Sequence, residues 1–228
     1  MNIIEGRSFF CSWSGGKDSC LALYYAIQNG GKPKFLFTVM AEGGERSRSH
    51  GLPRALLELQ SYRLGIPIVF RNASWDEYES EFLAALREFK TGGIETGVFG
   101  DIDVDSNREW VERVCGVTGV VPYHPLWKRS RQALLHEFID LQFKATVVVI
   151  RNDKLDSHFL GREIDQRTIT EMEEAGIDAS GELGEYHTVV TDGPIFSSRI
   201  FLEIRGRKIL NEYSFLDTLE RSTENEGN

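Results

Sequence analysis

A short run of mostly apolar or small residues, 8–14 (SFFCSWS), ends in the pair Gly15-Gly16, and a helix-patterned stretch begins immediately afterwards. A buried strand that passes to a helix through glycines restricts the fold to architectures in which strands and helices alternate and pack on one another. The stretch 18–29 carries Leu21, Tyr24 and Tyr25 at helical spacing and is stopped by Gly30-Gly31. The alternation then continues. Strands are expected at 33–40, 66–71 and 96–102, with a fifth beginning at 119–121, and helices at 53–64, 75–89 and 107–117. Tyr78, Phe82, Leu86 and Phe89 fall on one face of the helix at 75–89.

This pattern predicts an α/β fold: a Rossmann-like parallel sheet with helices on both faces, in residues 1–124. The second half is less regular. Helices at 130–143 and 165–174, a strand at 145–151 and a hairpin of 200–205 with 208–210 around Gly206 suggest a smaller α+β domain in 125–228. The tail, 220–228, is polar and expected to fray.

Ligands of doubly wound sheets sit beyond the carboxyl ends of the strands. Three features fall there: the segment from Ser14 after the first strand, residues 40–51 after the second, and Gly100-Asp101 after the fourth. The first is a device for anions. Gly15 and Gly16 let backbone N–H groups approach phosphate oxygens, and the helix start adds a favourable dipole. Ser12, Ser14 and Ser19 surround it with hydroxyls, Lys17 offers a point charge, and Asp18 supplies a hard oxygen ligand suited to Mg²⁺. The spacing is not that of a Walker loop, because Lys17 is followed by Asp18 and not by Ser or Thr.

The net charge of −9 opposes nonspecific nucleic-acid binding. The three cysteines (Cys11, Cys20, Cys115) have no CxxC spacing, and the five histidines form no HExxH pair, so neither a disulfide framework nor a transition-metal site is indicated. No apolar run reaches the ~20 residues of a membrane helix, and the first residues do not read as a signal peptide. A cytoplasmic location is expected.

The octet SWSGGKDS resembles the pyrophosphate loop of the ATP pyrophosphatases, which implies attack at the α-phosphate of ATP and release of pyrophosphate. Further segments are similar to the diphthine–ammonia ligase family. They are His50-Gly51-Leu52-Pro53, Leu64-Gly65-Ile66-Pro67, Gly100-Asp101-Ile102, Pro125-Leu126-Trp127, Leu160-Gly161-Arg162, the run GELGEYHT at 181–188, and Asp192-Gly193-Pro194. That resemblance implies an enzyme that uses ATP and Mg²⁺ to adenylate a carboxylate, on diphthine in elongation factor two, which ammonia then converts to an amide. Lys17, Asp18, Glu182 and Glu185 are then the expected catalytic residues. Ser12, Ser14 to Ser19, Gly100 and Asp101 are expected to hold ATP, and His50, Gly184, Tyr186 and His187 the acid. Family members usually carry Glu where His187 stands. The ELGEYHT form is closer to a bacterial branch proposed to act in cobalamin salvage, for which the acid would differ.

Two rivals share the general fold. A tRNA-thiolating enzyme needs a persulfide-bearing cysteine and RNA affinity, which the cysteine placement and the charge oppose. A nucleotide-binding sensor typically has its glycine loop late in the chain. An oligomer is compatible with the sequence.

Overall fold

The computed structural model describes residues 3–48 and 50–220. The expected tail from 221 onward lies outside the described residues. Five strands form a parallel sheet: β1 (Ser8–Ser12), β2 (Lys32–Met40), β3 (Ile68–Asn72), β4 (Thr96–Val98) and β5 (Val121–Tyr123). Their order is β3-β2-β1-β4-β5. The chain moves outward from β1 to β3 and then returns to the other side of β1, so the order reverses between β1 and β4. A crevice opens at such a reversal, at the carboxyl ends of the strands.

The strand period of two sorts side chains between the faces. From β1, Phe9 and Cys11 enter one core and Phe10 enters the other. From β2, Leu36 and Met40 go with the first, Phe37 and Val39 with the second. The first face is covered by α1 (Lys17–Gln28) and α2 (Arg54–Leu64), the second by α3 (Tyr78–Thr91) and α4 (Asp105–Thr118). Each fully buried aromatic or aliphatic side chain contributes about 1.5–3 kcal/mol.

After α5 (Arg131–Asp140) the architecture changes. β6 (Lys144–Arg151), β7 (Tyr186–Asp192), β8 (Leu202–Leu210) and β9 (Tyr213–Glu220) form a second sheet in the order β7-β6-β9-β8, antiparallel throughout. A short helix, α6 (Gln166–Glu174), completes it. The two sheets share one core, which contains Phe9 and Leu23 from the first part and Phe138, Val147 and Val189 from the second.

The expected architecture is present, with local corrections. β8 runs through Gly206, which sits at a register shift, and the hairpin turns instead at Asn211, a residue with φ of +54°. A bulge glycine and a turn glycine look alike in sequence. β4 stops at Val98, short of the expected 102, and beyond it Gly100 passes so close to the first turn of α1 that a Cβ would lie 2.9 Å from the Asp18 carbonyl carbon. β7 and β9 were not anticipated as strands.

Candidate active site

The crevice at the reversal is a cavity of about 530 Å³. Its floor is the loop between β1 and α1. Trp13 N–H donates to the Phe37 carbonyl (2.8 Å) and Thr38 Oγ1 to the Trp13 carbonyl (2.5 Å), so the chain stays tied to β2 for one residue beyond the strand. At Gly15 φ is +81°, and a Cβ there would meet Leu52, Gln60 and Leu57 at 2.7–2.9 Å. At Gly16 a Cβ would lie 2.5 Å from His50 Cε1. Both positions therefore require glycine.

α1 begins after Gly16 with no side-chain cap. The amides of its first turn have no carbonyl one turn back to accept them. That of Lys17 donates to Thr188 Oγ1 (3.1 Å), while those of Asp18 and Ser19 start the helix at the cavity. The Ser14 and Ser19 hydroxyls are 3.0 Å apart, and Ser19 Oγ donates to the Gly16 carbonyl. Such a start favours an anion through both its N–H groups and the helix dipole.

The back of the loop is fixed by a residue that sequence reasoning missed. Gln60 of α2 is completely buried. Its Nε2 donates to the carbonyls of Gly15 (2.9 Å) and Val190 (2.7 Å), and its Oε1 accepts from Trp13 Nε1 (3.0 Å). The Val190 amide also donates to the Gly15 carbonyl (2.9 Å). The loop is thus fastened to β7 of the second sheet. A glutamine within a leucine-rich helix carries no local signal of this.

The walls come from both halves of the chain. Lys17 is buried and its Nζ donates to both oxygens of Asp18 (2.8 and 3.0 Å). Burial acts to lower the Lys17 pKa, but the Asp18 carboxylate and further anionic neighbours outweigh it and hold the ammonium above its ordinary value. Across from it, Glu182 lies in the loop before β7. Burial, with repulsion from Asp18, raises its pKa to about 7. Tyr186 stands 5.8 Å under the Lys17 ammonium and donates its hydroxyl to the Ala179 carbonyl (2.5 Å). His187 stacks on His50 with ring centres 4.3 Å apart. Burial and the Lys17 charge lower the His187 pKa to about 4, and burial pushes that of His50 well down, so both rings are neutral near pH 7.

Gly100 and Asp101 line the cavity beyond β4, and Ser12, Ser14, Lys17, Asp18, Ser19, His50, Glu182, Gly184, Tyr186 and His187 line it as well. Of the residues singled out in the sequence, Gly15, Gly16 and Glu185 do not line it; the two glycines are packed against Leu52, Leu57, Gln60 and His50 behind the loop, and Glu185 is turned away. It is buried, its carboxylate accepts from the Leu183 amide (3.0 Å), and its side chain is turned into its own loop, not towards the cavity. Asp101 has a buried companion, His124, with Nδ1 3.3 Å from Oδ2. Neither ring nitrogen of His124 has hydrogen-bonding geometry to a described residue, so the two side chains are close neighbours without a hydrogen bond.

The far end of the cavity is aromatic. Tyr78 and Phe82 of α3, Trp110 of α4 and the exposed Trp75 line it, with the Arg48 guanidinium 5.0 Å above the Trp75 ring. The sequence signalled Tyr78 and Phe82 only as a core stripe. No group of three or more potential metal-ligating His, Cys, Asp or Glu side chains occurs among the described residues. The three cysteines are buried, and burial raises each thiol, that of Cys115 to about 12.

Two family models divide the chain between them. Residues 8–122 match the diphthamide synthase N-terminal domain and residues 130–223 the diphthamide synthase C-terminal domain. The chain belongs to the diphthamide synthase family. Among its relatives, a diphthine–ammonia ligase of Homo sapiens is 27% identical over 217 residues, covering 83% of this chain and 80% of the relative. One of Danio rerio is 25% identical over 236 residues, covering 89% of each chain. One of Schizosaccharomyces pombe is 26% identical over 211 residues, covering 83% of this chain and 35% of the relative. Membership of this family makes the chain an ATP-dependent ligase, and the cavity between its two sheets is the candidate place for that chemistry. No helix among the described residues is long and apolar enough to cross a membrane.

Proposed function

We propose that this diphthamide synthase family member adenylates a carboxylate in the cavity and passes the acyl group to ammonia. One observation carries the reading: the uncapped start of α1, with Lys17, Asp18 and Ser19, shares a single cavity with Glu182, Gly184, Tyr186 and His187. In this reading the loop from Ser14 to Ser19 holds the β- and γ-phosphates, with Lys17 beside them. The aromatic end takes the adenine ring, since stacking on Trp75 or Tyr78 suits a flat base. The α-phosphorus then points towards Glu182, Tyr186 and His187, where the acid lies.

The acid oxygen attacks the α-phosphorus and pyrophosphate leaves, giving an acyl adenylate. Ammonia attacks the acyl carbon, the C–O bond to AMP breaks, and AMP departs with the electron pair. A carboxylate is a poor electrophile, and AMP supplies the missing leaving group. The protein contributes placement and charge stabilisation. Glu182, with a pKa near 7, is suited to take the proton that nitrogen loses.

Mg²⁺ fits the site only in part through protein groups. Asp18 is the carboxylate beside the loop, with Ser14 and Ser19 as hydroxyl donors, so phosphate oxygens and water would fill its remaining positions, as is usual for this ion. When bound it would neutralise the phosphates.

Diphthine on elongation factor two is the first acid to test, because the relatives are named for it. A small-molecule acid is the second reading, favoured by His187, which puts a neutral ring where the family resemblance implies a carboxylate. Sulfur transfer to RNA is disfavoured by three buried thiols with raised pKa values and by the net charge. The test is incubation with ATP, magnesium, ammonium and each acid. AMP with pyrophosphate is expected; ADP with phosphate would remove the reading.

A further inference from the structure

Glu182, suited to take the proton that nitrogen loses, stands on a stretch without regular structure. Between the end of α6 at Glu174 and the start of β7 at Tyr186 the chain makes only turns and bends. A carboxyl on such a loop keeps its place only if neighbouring side chains fix the backbone. Inside the loop a series of bonds leads to it. The Ser180 amide donates to Asp178 Oδ1 (2.9 Å), the Gly181 amide to the Asp178 carbonyl (3.0 Å), and the Glu182 amide to Ser180 Oγ (3.3 Å). Asp178 is thus the root from which the Glu182 backbone hangs.

That root is held from another part of the molecule. Arg131 is the first residue of α5, whose Leu134, Leu135 and Phe138 are buried in the shared core. Its Nη1 donates to Asp178 Oδ2, while its Nε and Nη2 donate to Asp103 Oδ2 and Oδ1 (2.7 and 2.6 Å). Asp103 lies between β4 and α4, just beyond Asp101, which lines the cavity together with Glu182. The Lys128 amide ties the same loop a second time, donating to the Ile102 carbonyl (2.6 Å). One guanidinium therefore spans two loops of the cavity, one from each half of the chain. Among the described residues, its contact with Asp178 is the one ion pair that leaves the stretch 177–184. The bonds from Arg131 hold the Asp103 carboxyl below its usual range. Burial acts to raise the Asp178 pKa, but bonds from Ser180 and Arg131 outweigh it. A planar fork of donors suits two carboxylates at once, as a lysine does not.

We propose that Arg131 is a positioning residue: by joining Asp178 to Asp103 it fixes the Glu182 loop to the loop of Asp101 and so sets where the Glu182 carboxyl stands in the cavity. The proposal rests on the amide-ligase reading and adds to it the group that keeps the base in place. Arg131 itself does not line the main cavity, so it acts through its two partners and not on nucleotide or acid. The nucleotide loop does not depend on it, because Gly15 and Lys17 are fastened to Val190 and Thr188 by bonds of their own. Loss of the guanidinium therefore frees the segment that serves nitrogen and leaves the segment that serves phosphate. A catalytic group displaced by about 1 Å costs on the order of a hundredfold in rate.

The test uses the full chain. In hydrogen exchange followed by mass spectrometry, Arg131→Ala is expected to speed exchange in peptides covering 178–186 and to leave those covering 14–19 at the wild-type rate. With diphthine-bearing elongation factor two as the acid, it is expected to lower kcat for amide formation by roughly tenfold to a hundredfold and to leave the ATP KM unchanged. Asp178→Ala should do the same, and the double variant should lose no more than the worse single one, because both changes cut one connection. Arg131→Gln replaces Arg131→Ala should thermal unfolding show the alanine variant to be misfolded. Unaltered exchange at 178–186, or losses in kcat that multiply in the double variant, overturns the clamp while AMP formation still supports the ligase. Wild-type protein that binds ATP but yields no AMP and pyrophosphate overturns the ligase reading itself, and the clamp's part in it.

Discussion

An alanine at position 15 meets two obstacles at once: a backbone φ of +81° and a methyl group 2.7 Å from Leu52 Cδ1. The first costs roughly 1–2 kcal/mol and the second roughly 1–3, so Gly15→Ala should lower stability by about 3 kcal/mol in urea unfolding. Asp18 is a different case. Its side chain is partly exposed and its partner is the neighbouring Lys17. Asp18→Ala should therefore keep the far-ultraviolet circular dichroism spectrum while pyrophosphate release disappears; full turnover by the folded variant would refute its role. His187 ties residue chemistry to pH. Its pKa is about 4 in the folded state against a reference of 6.5, so the folded state binds fewer protons than the unfolded one between those values. The associated stability is complete above pH 6.5 and is lost as pH falls towards 4, up to about 3 kcal/mol. His50 acts in the same direction. His187→Gln should flatten part of the fall in urea midpoint between pH 7 and 4.5, and adding His50→Gln should flatten most of the rest.

At the scale of elements, the joint between α2, the phosphate loop and β7 depends on one amide side chain. Gln60→Leu keeps the volume but strands the Trp13 indole N–H and deprives the Gly15 and Val190 carbonyls of a donor. At about 1–3 kcal/mol for each buried group left unmet, a loss of roughly 3 kcal/mol is expected, with weaker ATP binding in calorimetry. Nothing in the residues around position 60 announces this, because the partners lie 45 and 130 positions away. By contrast, the parallel sheet was legible. Each of its strands is a short apolar run bounded by a turn, and the helices between them carry a period that no loop imitates. The strand-to-helix turn through Gly15 and Gly16 was legible because its signal is local. β7 and β9 were not, since they are ordered by pairing with β6, and such pairing depends on distant partners more than on composition. Glu185 illustrates the same limit: adjacent to Gly184 like the cavity-lining segment around it, it is turned the other way by a single backbone amide.

Across the whole molecule, one core is shared by the two sheets. Heating should therefore give a single transition, coincident by circular dichroism and calorimetry, and not one for each family-matched segment. ATP at a hundred times its dissociation constant should stabilise the fold by about 2.7 kcal/mol, a rise in midpoint of roughly 5–10 °C. Two separate steps, or a nucleotide-insensitive midpoint, would contradict this. The stitches from Gly15 to Val190 and from Lys17 to Thr188 give the shared core a further consequence. The strand that carries Tyr186 and His187 is bonded directly to the backbone proposed above to grip phosphate. Any shift of that strand when an acid arrives must tug on the same amides, so the two ligands will be felt through each other. A C-terminal half grafted from a distant cousin would loosen the loop before α1 unless these two bonds were transplanted with it.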